Sequence, residues 1–183
     1  MTVGPARFPD GLERRAATEL RAIKGRKLAG YAATFGTPAP IGTFTETIRA
    51  GAFRVSLLRP GADVLALVDH DPSKLLARTA SGTLRLTEDA RGLAFELDVP
   101  ETTLGADVLA LAERGDLGGM SFGFRVTDEA WPAADRRELR AVDLVEISIV
   151  QAFPAYSQTS VAARSRFRSV DPARVRQALL ETL

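Results

Sequence analysis

Apolar residues along the chain recur at two periods, and the segments carrying each period are separated by Gly, Pro and charged stretches. Tyr31, Ala33 and Phe35 alternate at the strand period. After a Gly/Pro-rich turn, Phe44 and Ile48 share one face with Glu46 between them, and Thr43, Thr45 and Thr47 share the other. This predicts a second strand whose apolar face is interrupted by a carboxylate. Ala52 to Leu58 fits a short helix, with Phe53 and Leu57 one turn apart and Pro60-Gly61 as its stop. Val64 to Val68 is an apolar run of strand length. Thr83 to Leu86 and the alternating Leu93, Phe95, Leu97 and Val99 predict a hairpin across Glu88-Asp89-Ala90-Arg91-Gly92. Thr102 or Thr103 can cap a helix with Leu104, Val108, Leu111 and Ala112 on one face, and Gly115 can end it. Two further strands are expected, at Met120 to Val126 and Leu144 to Val150, with a polar stretch containing Trp131-Pro132 and Arg136-Arg137 between them. No internal repeat is visible.

The ends read differently. Residues 1–27, with Pro5, Pro9, an arginine pair and Lys24-Gly25-Arg26, are expected to be a flexible or weakly helical lead-in. The domain is expected over 28–162. Beyond it, residues 163–183 read as a Ser-, Ala- and Arg-rich tail with a final helix capped by Asp171 and opened by Pro172. The fold class predicted is mostly β with helices (α+β). About seven short, sequential, antiparallel strands are expected to close into a barrel or a strongly curved sheet.

Composition narrows the function. At 183 residues, 45% apolar and 26% charged, the chain suits one soluble domain. Its 24 basic and 23 acidic residues are interspersed and leave a net charge of +1, so no strong field favours nucleic acid or an anionic membrane. No apolar run approaches the roughly 20 residues of a membrane span, and residues 1–27 lack a signal-peptide core, so a cytoplasmic location is expected. Zero cysteines and one histidine exclude disulfides, thiolate nucleophiles and imidazole-rich metal sites. Only a carboxylate-ligated metal would remain, and no cofactor is expected.

The single histidine, His70, lies in Leu67-Val68-Asp69-His70-Asp71-Pro72. A hydrolase with an imidazole base must use it. A candidate nucleophile is Ser121 in Gly118-Gly119-Met120-Ser121-Phe122-Gly123-Phe124: on a strand its hydroxyl faces away from Met120, Phe122 and Phe124, and Gly123 leaves room on the hydroxyl's side. A serine hydroxyl needs a base to take its proton, and imidazole is suited to the task. By the same counting, His70 continues the face of Val64, Ala66 and Val68 at a strand end. The imidazole needs a third group to fix its tautomer, and Glu146 is the candidate. In Leu144-Val145-Glu146-Ile147-Ser148-Ile149-Val150 the residues Val145, Ile147 and Ile149 form the expected buried face, leaving Glu146 and Ser148 on the other. A carboxylate within so apolar a strand needs a partner. Asp69 and Asp71 are weaker candidates because strand neighbours point apart. Arg78 could meet substrate or transition-state charge, though a structural arginine is the plainer reading. Taken singly, each residue also has an ordinary reading: a tolerated serine, a loop histidine, a solvent-facing glutamate.

The order of several segments is more specific. Gly30-Tyr31-Ala32-Ala33-Thr34-Phe35 precedes Glu46-Thr47-Ile48-Arg49-Ala50-Gly51-Ala52-Phe53, then Val68-Asp69-His70-Asp71 and Leu76-Ala77-Arg78-Thr79. Arg114-Gly115-Asp116-Leu117-Gly118-Gly119-Met120-Ser121-Phe122-Gly123-Phe124, the Glu146-Ile147-Ser148 strand and Pro154-Ala155-Tyr156 follow. From about Leu28 to Ala162 the chain resembles the prohead (procapsid) maturation proteases of tailed bacteriophages, prophages and gene transfer agents. The resemblance implies a serine endopeptidase with a herpesvirus-assemblin-like fold, a β-barrel ringed by helices. It also implies that His70 is the base, Ser121 the nucleophile and Glu146 the third member. The herpesvirus relatives use a second histidine there, and this chain has none. The implied partners are the major capsid protein and scaffold, cut inside the immature capsid, and the protease itself, through self-cleavage and as a homo-oligomer. Arg164-Ser165-Arg166 is a candidate self-cleavage or capsid-targeting region. Two other readings compete: a non-enzymatic capsid-assembly module, and an esterase-like hydrolase. Gly119-Met120-Ser121-Phe122-Gly123 matches the Gly-x-Ser-x-Gly elbow literally, but its alternation reads as strand.

Overall fold

The computed structural model describes residues 11–17, 19–23 and 25–151. The expected tail over 163–183, the helix at Asp171 and the Arg164-Ser165-Arg166 and Pro154-Ala155-Tyr156 segments lie outside them. In chain order the elements are β1 (Glu13–Ala17), β2 (Glu19–Ile23), β3 (Lys27–Thr34), β4 (Ala39–Ile41), β5 (Phe44–Ile48), α1 (Arg54–Leu58), β6 (Leu65–Val68), β7 (Asp71–Arg78), β8 (Leu84–Glu88), β9 (Gly92–Asp98), α2 (Thr103–Arg114), β10 (Gly119–Ala133) and β11 (Arg136–Val150). β1 and β2 thus fall inside the stretch expected to precede the domain.

The fold is mostly β with few helices, but it is not the predicted barrel. One sheet has seven strands in the order β1-β10-β11-β5-β4, with β6 also on β11 and β7 on β6; the other has the order β2-β3-β9-β8. Closure requires the last strand of a sheet to bond to its first. Here the chain leaves β1 in one sheet and enters β2 in the other, and no ladder joins the two sheets among the described residues. Nor are all pairings antiparallel. β11 is 15 residues long, and its two halves take different parallel neighbours: Arg136–Leu139 lie beside β5 and Glu146–Ile149 beside β6. Two helices, rather than a ring, accompany the strands among the described residues. α2 is capped as its sequence predicts: the Thr102 hydroxyl accepts from the Gly105 N–H, and Gly115 ends it in the left-handed conformation.

Both sheets contribute to one core. Phe53 stands edge-on to Phe122, with ring centroids 5.6 Å apart, and Phe122 stacks on Phe124 at 5.1 Å. Leu28, Leu93 and Leu97 of the smaller sheet, with Ile147 and Ile149 of the larger, complete its centre. Beside the aromatics lies a buried ionic network. The Arg15 guanidinium donates to Glu46 (2.6 and 2.8 Å) and Glu13 (2.8 Å); that of Arg137 donates to Glu13 (2.7 and 3.0 Å) and Glu46 (3.0 Å) and also meets Glu129. The Glu46 carboxylate that interrupts the β5 face is therefore neutralised from β1 and β11. Burial would raise the Glu13 carboxyl, but the Arg137 and Arg15 guanidinium groups outweigh it and hold the group below its ordinary range.

Candidate active site

β6 and β7 form an antiparallel hairpin in which Val68 pairs with Asp71, so its loop is two residues, Asp69 and His70. Both have positive φ, 51° and 60°, the left-handed geometry of a tight hairpin turn. The turn is tied to β11: the Asp69 N–H donates to the Ile149 carbonyl (2.9 Å), the Gln151 N–H to Asp69 Oδ1 (3.0 Å) and the His70 N–H to Ser148 Oγ (3.0 Å). This corrects the sequence expectation for His70. A strand continued past Val68 would carry its side chain with Val64, Ala66 and Val68 into the core. The turn instead takes the imidazole to the opposite face of the sheet, where Glu146 lies.

Glu146 reaches that face by a bulge. Gly123 pairs with Glu146 but Phe124 pairs with Leu144, so Val145 has no partner and the alternation slips by one. Val142 and Leu144 before the bulge, and Ile147 and Ile149 after it, are core residues, whereas Val145, expected in the buried face, is only half-buried. The Glu146 carboxylate lies over Gly123: a Cβ at position 123 would collide with Oε1 and stand 3.0 Å from the carboxyl carbon. Oε1 is 2.6 Å from His70 Nδ1, Oε2 accepts from the Ser148 hydroxyl at 2.8 Å, and Arg14 Nε is 3.8 Å from Oε1. A carboxylate accepts from the ring, so this contact selects, for the neutral imidazole, the tautomer with its proton on Nδ1 and its lone pair on Nε2.

Ser121 pairs with Ser148 across the β10–β11 ladder and shares the face of Gly123 and Glu146. It is buried, and among the described residues its hydroxyl donates to the Arg15 carbonyl of β1 (2.8 Å), not to His70. The structure therefore couples His70 to Glu146 directly and places Ser121 on the same face, two ladder pairs from Glu146, with its hydroxyl turned to β1. The His70 side chain, 21% exposed against 4% for that of Glu146, is the more open of the bonded pair. Asp69 and Asp71 do not bond the ring; Asp71 Oδ1 accepts from Ser73. Arg78 is paired with Asp63, the structural reading. Sequence reasoning did not assign Ser148, Arg14 or the Arg15 carbonyl. Only Ser148 left a signal, its placement on the face of Glu146. Among the described residues no group of three or more His, Cys, Asp or Glu could hold a metal, and no helix is long and apolar enough to cross a membrane.

A proton-bearing alcohol, a carboxylate-oriented imidazole and a mostly β scaffold are the equipment of a serine peptidase. Residues 12–172 match the family model described as caudovirus prohead serine protease, and the chain belongs to that family. It is a serine peptidase of the class that serves bacteriophage capsid maturation. Comparison with curated proteins and with solved structures found no match.

Proposed function

We propose that this peptidase cleaves the scaffold, or the scaffolding segment of the major capsid protein, within the immature capsid in the host cell, that it also cuts itself, and that it works as a homo-oligomer. Ser121 is the nucleophile, His70 the base and Glu146 the residue that orients it. The observation carrying this assignment is the 2.6 Å bond between His70 Nδ1 and Glu146, 76 residues apart, on the face that holds Ser121. For attack, the Ser121 hydroxyl turns from the Arg15 carbonyl to His70 Nε2, a tightening expected when substrate binds. The Ser121 oxygen then adds to the scissile carbonyl as its proton passes to Nε2. The imidazolium, stabilised by Glu146, returns that proton to the leaving amine. Water next attacks the acyl-enzyme with His70 again as base, and the new carboxyl product leaves with Ser121 restored.

Co-expression with the cognate capsid protein tests the proposal. Wild-type protein is expected to shorten the coat protein to a defined product, and Ser121→Ala and His70→Ala to leave it full length. Intact coat protein alongside folded wild-type enzyme would overturn the substrate assignment. Unchanged cutting by Ser121→Ala would overturn the nucleophile.

A further inference from the structure

We propose that Ser148 is a positioning residue of this site, a hydroxyl strut that sets the His70 turn and the Glu146 carboxylate at one fixed separation; the inference rests on the catalytic assignment above. Ser148 is fully buried on β11, in register with Ser121 on one side and Leu67 on the other. Its proton goes to Glu146 Oε2 (2.8 Å), and its oxygen accepts the backbone N–H of His70 (3.0 Å). A hydroxyl is one donor with two acceptor sites, so it can serve both partners together. The two partners belong to one catalytic pair. Glu146 Oε1 is the atom that bonds Nδ1, so fixing Oε2 fixes the carboxylate plane, and fixing the His70 N–H fixes the origin of the imidazole. His70 also sits in the left-handed region, disfavoured for a residue with a Cβ, so its backbone is held by surrounding bonds rather than by its own preference.

Loss of the hydroxyl leaves two polar groups short of a partner, one of them charged. Ser148→Ala is therefore expected to lower kcat roughly tenfold to hundredfold. KM is expected to stay within about twofold, because the strut acts on the base and not on substrate binding. Ser148→Thr and Ser148→Val, of nearly one shape, isolate the hydroxyl: Thr should retain more activity than Val.

The chain has one histidine, so nitrogen-15 labelling gives a single set of imidazole signals whose reading does not depend on turnover. In wild type the Nδ1 proton bonded to Glu146 is expected as a low-field, slowly exchanging resonance, lost in Glu146→Gln. In Ser148→Ala it should broaden or vanish while thermal unfolding stays cooperative. A folded Ser148→Ala with the wild-type Nδ1 signal and wild-type kcat would overturn the strut. Should that variant not fold, Ser148→Cys, close in volume and a much weaker hydrogen-bonding group, is read against the same two outcomes. A wild type that holds the Nδ1 signal, loses it with Ser148, and cuts nothing would instead overturn the proposed function and leave the strut standing.

Discussion

Gly123 decides where Glu146 can go. It is the ladder partner of Glu146, and the carboxylate occupies the space a methyl group would need. Alanine is otherwise easily accommodated in a strand, so Gly123→Ala should leave folding nearly intact while pushing the carboxylate away from Nδ1. Displacement on the ångström scale costs up to about 10²-fold in a catalytic constellation, and on the proposed assignment a loss of that size in cleavage of the proposed coat-protein substrate, with little change in Tm, is the expected result. A fall in Tm matching the loss of activity would show that Gly123 matters for packing only. Glu146→Gln tests the acid itself: a shape-preserving change that favours the wrong tautomer is expected to cost up to about 10⁴-fold in kcat. Three of the residues at the site could be chosen from sequence because they are scarce or out of place there. His70 is the lone imidazole, Ser121 sits among glycines and aromatics, and Glu146 interrupts an apolar strand. What could not be read was the geometry that joins them. The bond to Glu146 depends on a two-residue turn and a bulge, and the Ser121 partner is a backbone carbonyl, which every residue possesses.

At the scale of elements, β1 illustrates why the strands before residue 28 were not legible. Glu13 and Arg15 alternate on a strand, but as charged residues they carry no apolar signal, and their burial follows only from Glu46 on β5 and Arg137 on β11. Arg136 and Arg137 are indistinguishable as sequence, yet Arg136 is exposed and Arg137 buried. The structure turns that difference into a prediction. Removing one member of a buried network strands the others, so Arg137→Met is expected to destabilise by about 3–5 kcal/mol in denaturant unfolding, and Arg136→Ala by no more than about 0.5. Equal effects would mean that the network is solvated in solution. The long β10 and β11 strands were seen only in part for a related reason: both are apolar near the core and polar beyond it, so their outer halves, through Trp131 and Arg136, read as loop.

For the whole molecule, the same network links stability to pH. The folded value of Glu13 lies below its ordinary 4.5, because two guanidinium groups favour its charged form despite burial. A carboxylate depressed on folding contributes stability above its unfolded value, and that contribution fades as pH falls through the folded one. Asp71, Asp89, Glu96 and Asp98 are depressed too, by hydrogen bonds and ion pairs at the surface, and they act in the same direction. Urea midpoints should therefore hold steady on the neutral side and fall as the pH drops below about 4.5. Glu13→Gln separates the buried contribution from the surface ones. It should be less stable at neutral pH, where Arg15 and Arg137 then share one carboxylate fewer, and its curve should decline less steeply in acid, because one depressed group has been removed. Since β1 supplies the carbonyl that holds Ser121, hydrogen exchange offers a second view of the same event: in acid the amides of β1 should lose protection before those of β9 at the centre of the other sheet. Parallel curves for wild type and Glu13→Gln, or simultaneous loss of protection in β1 and β9, would place the acid-sensitive groups elsewhere than in the network.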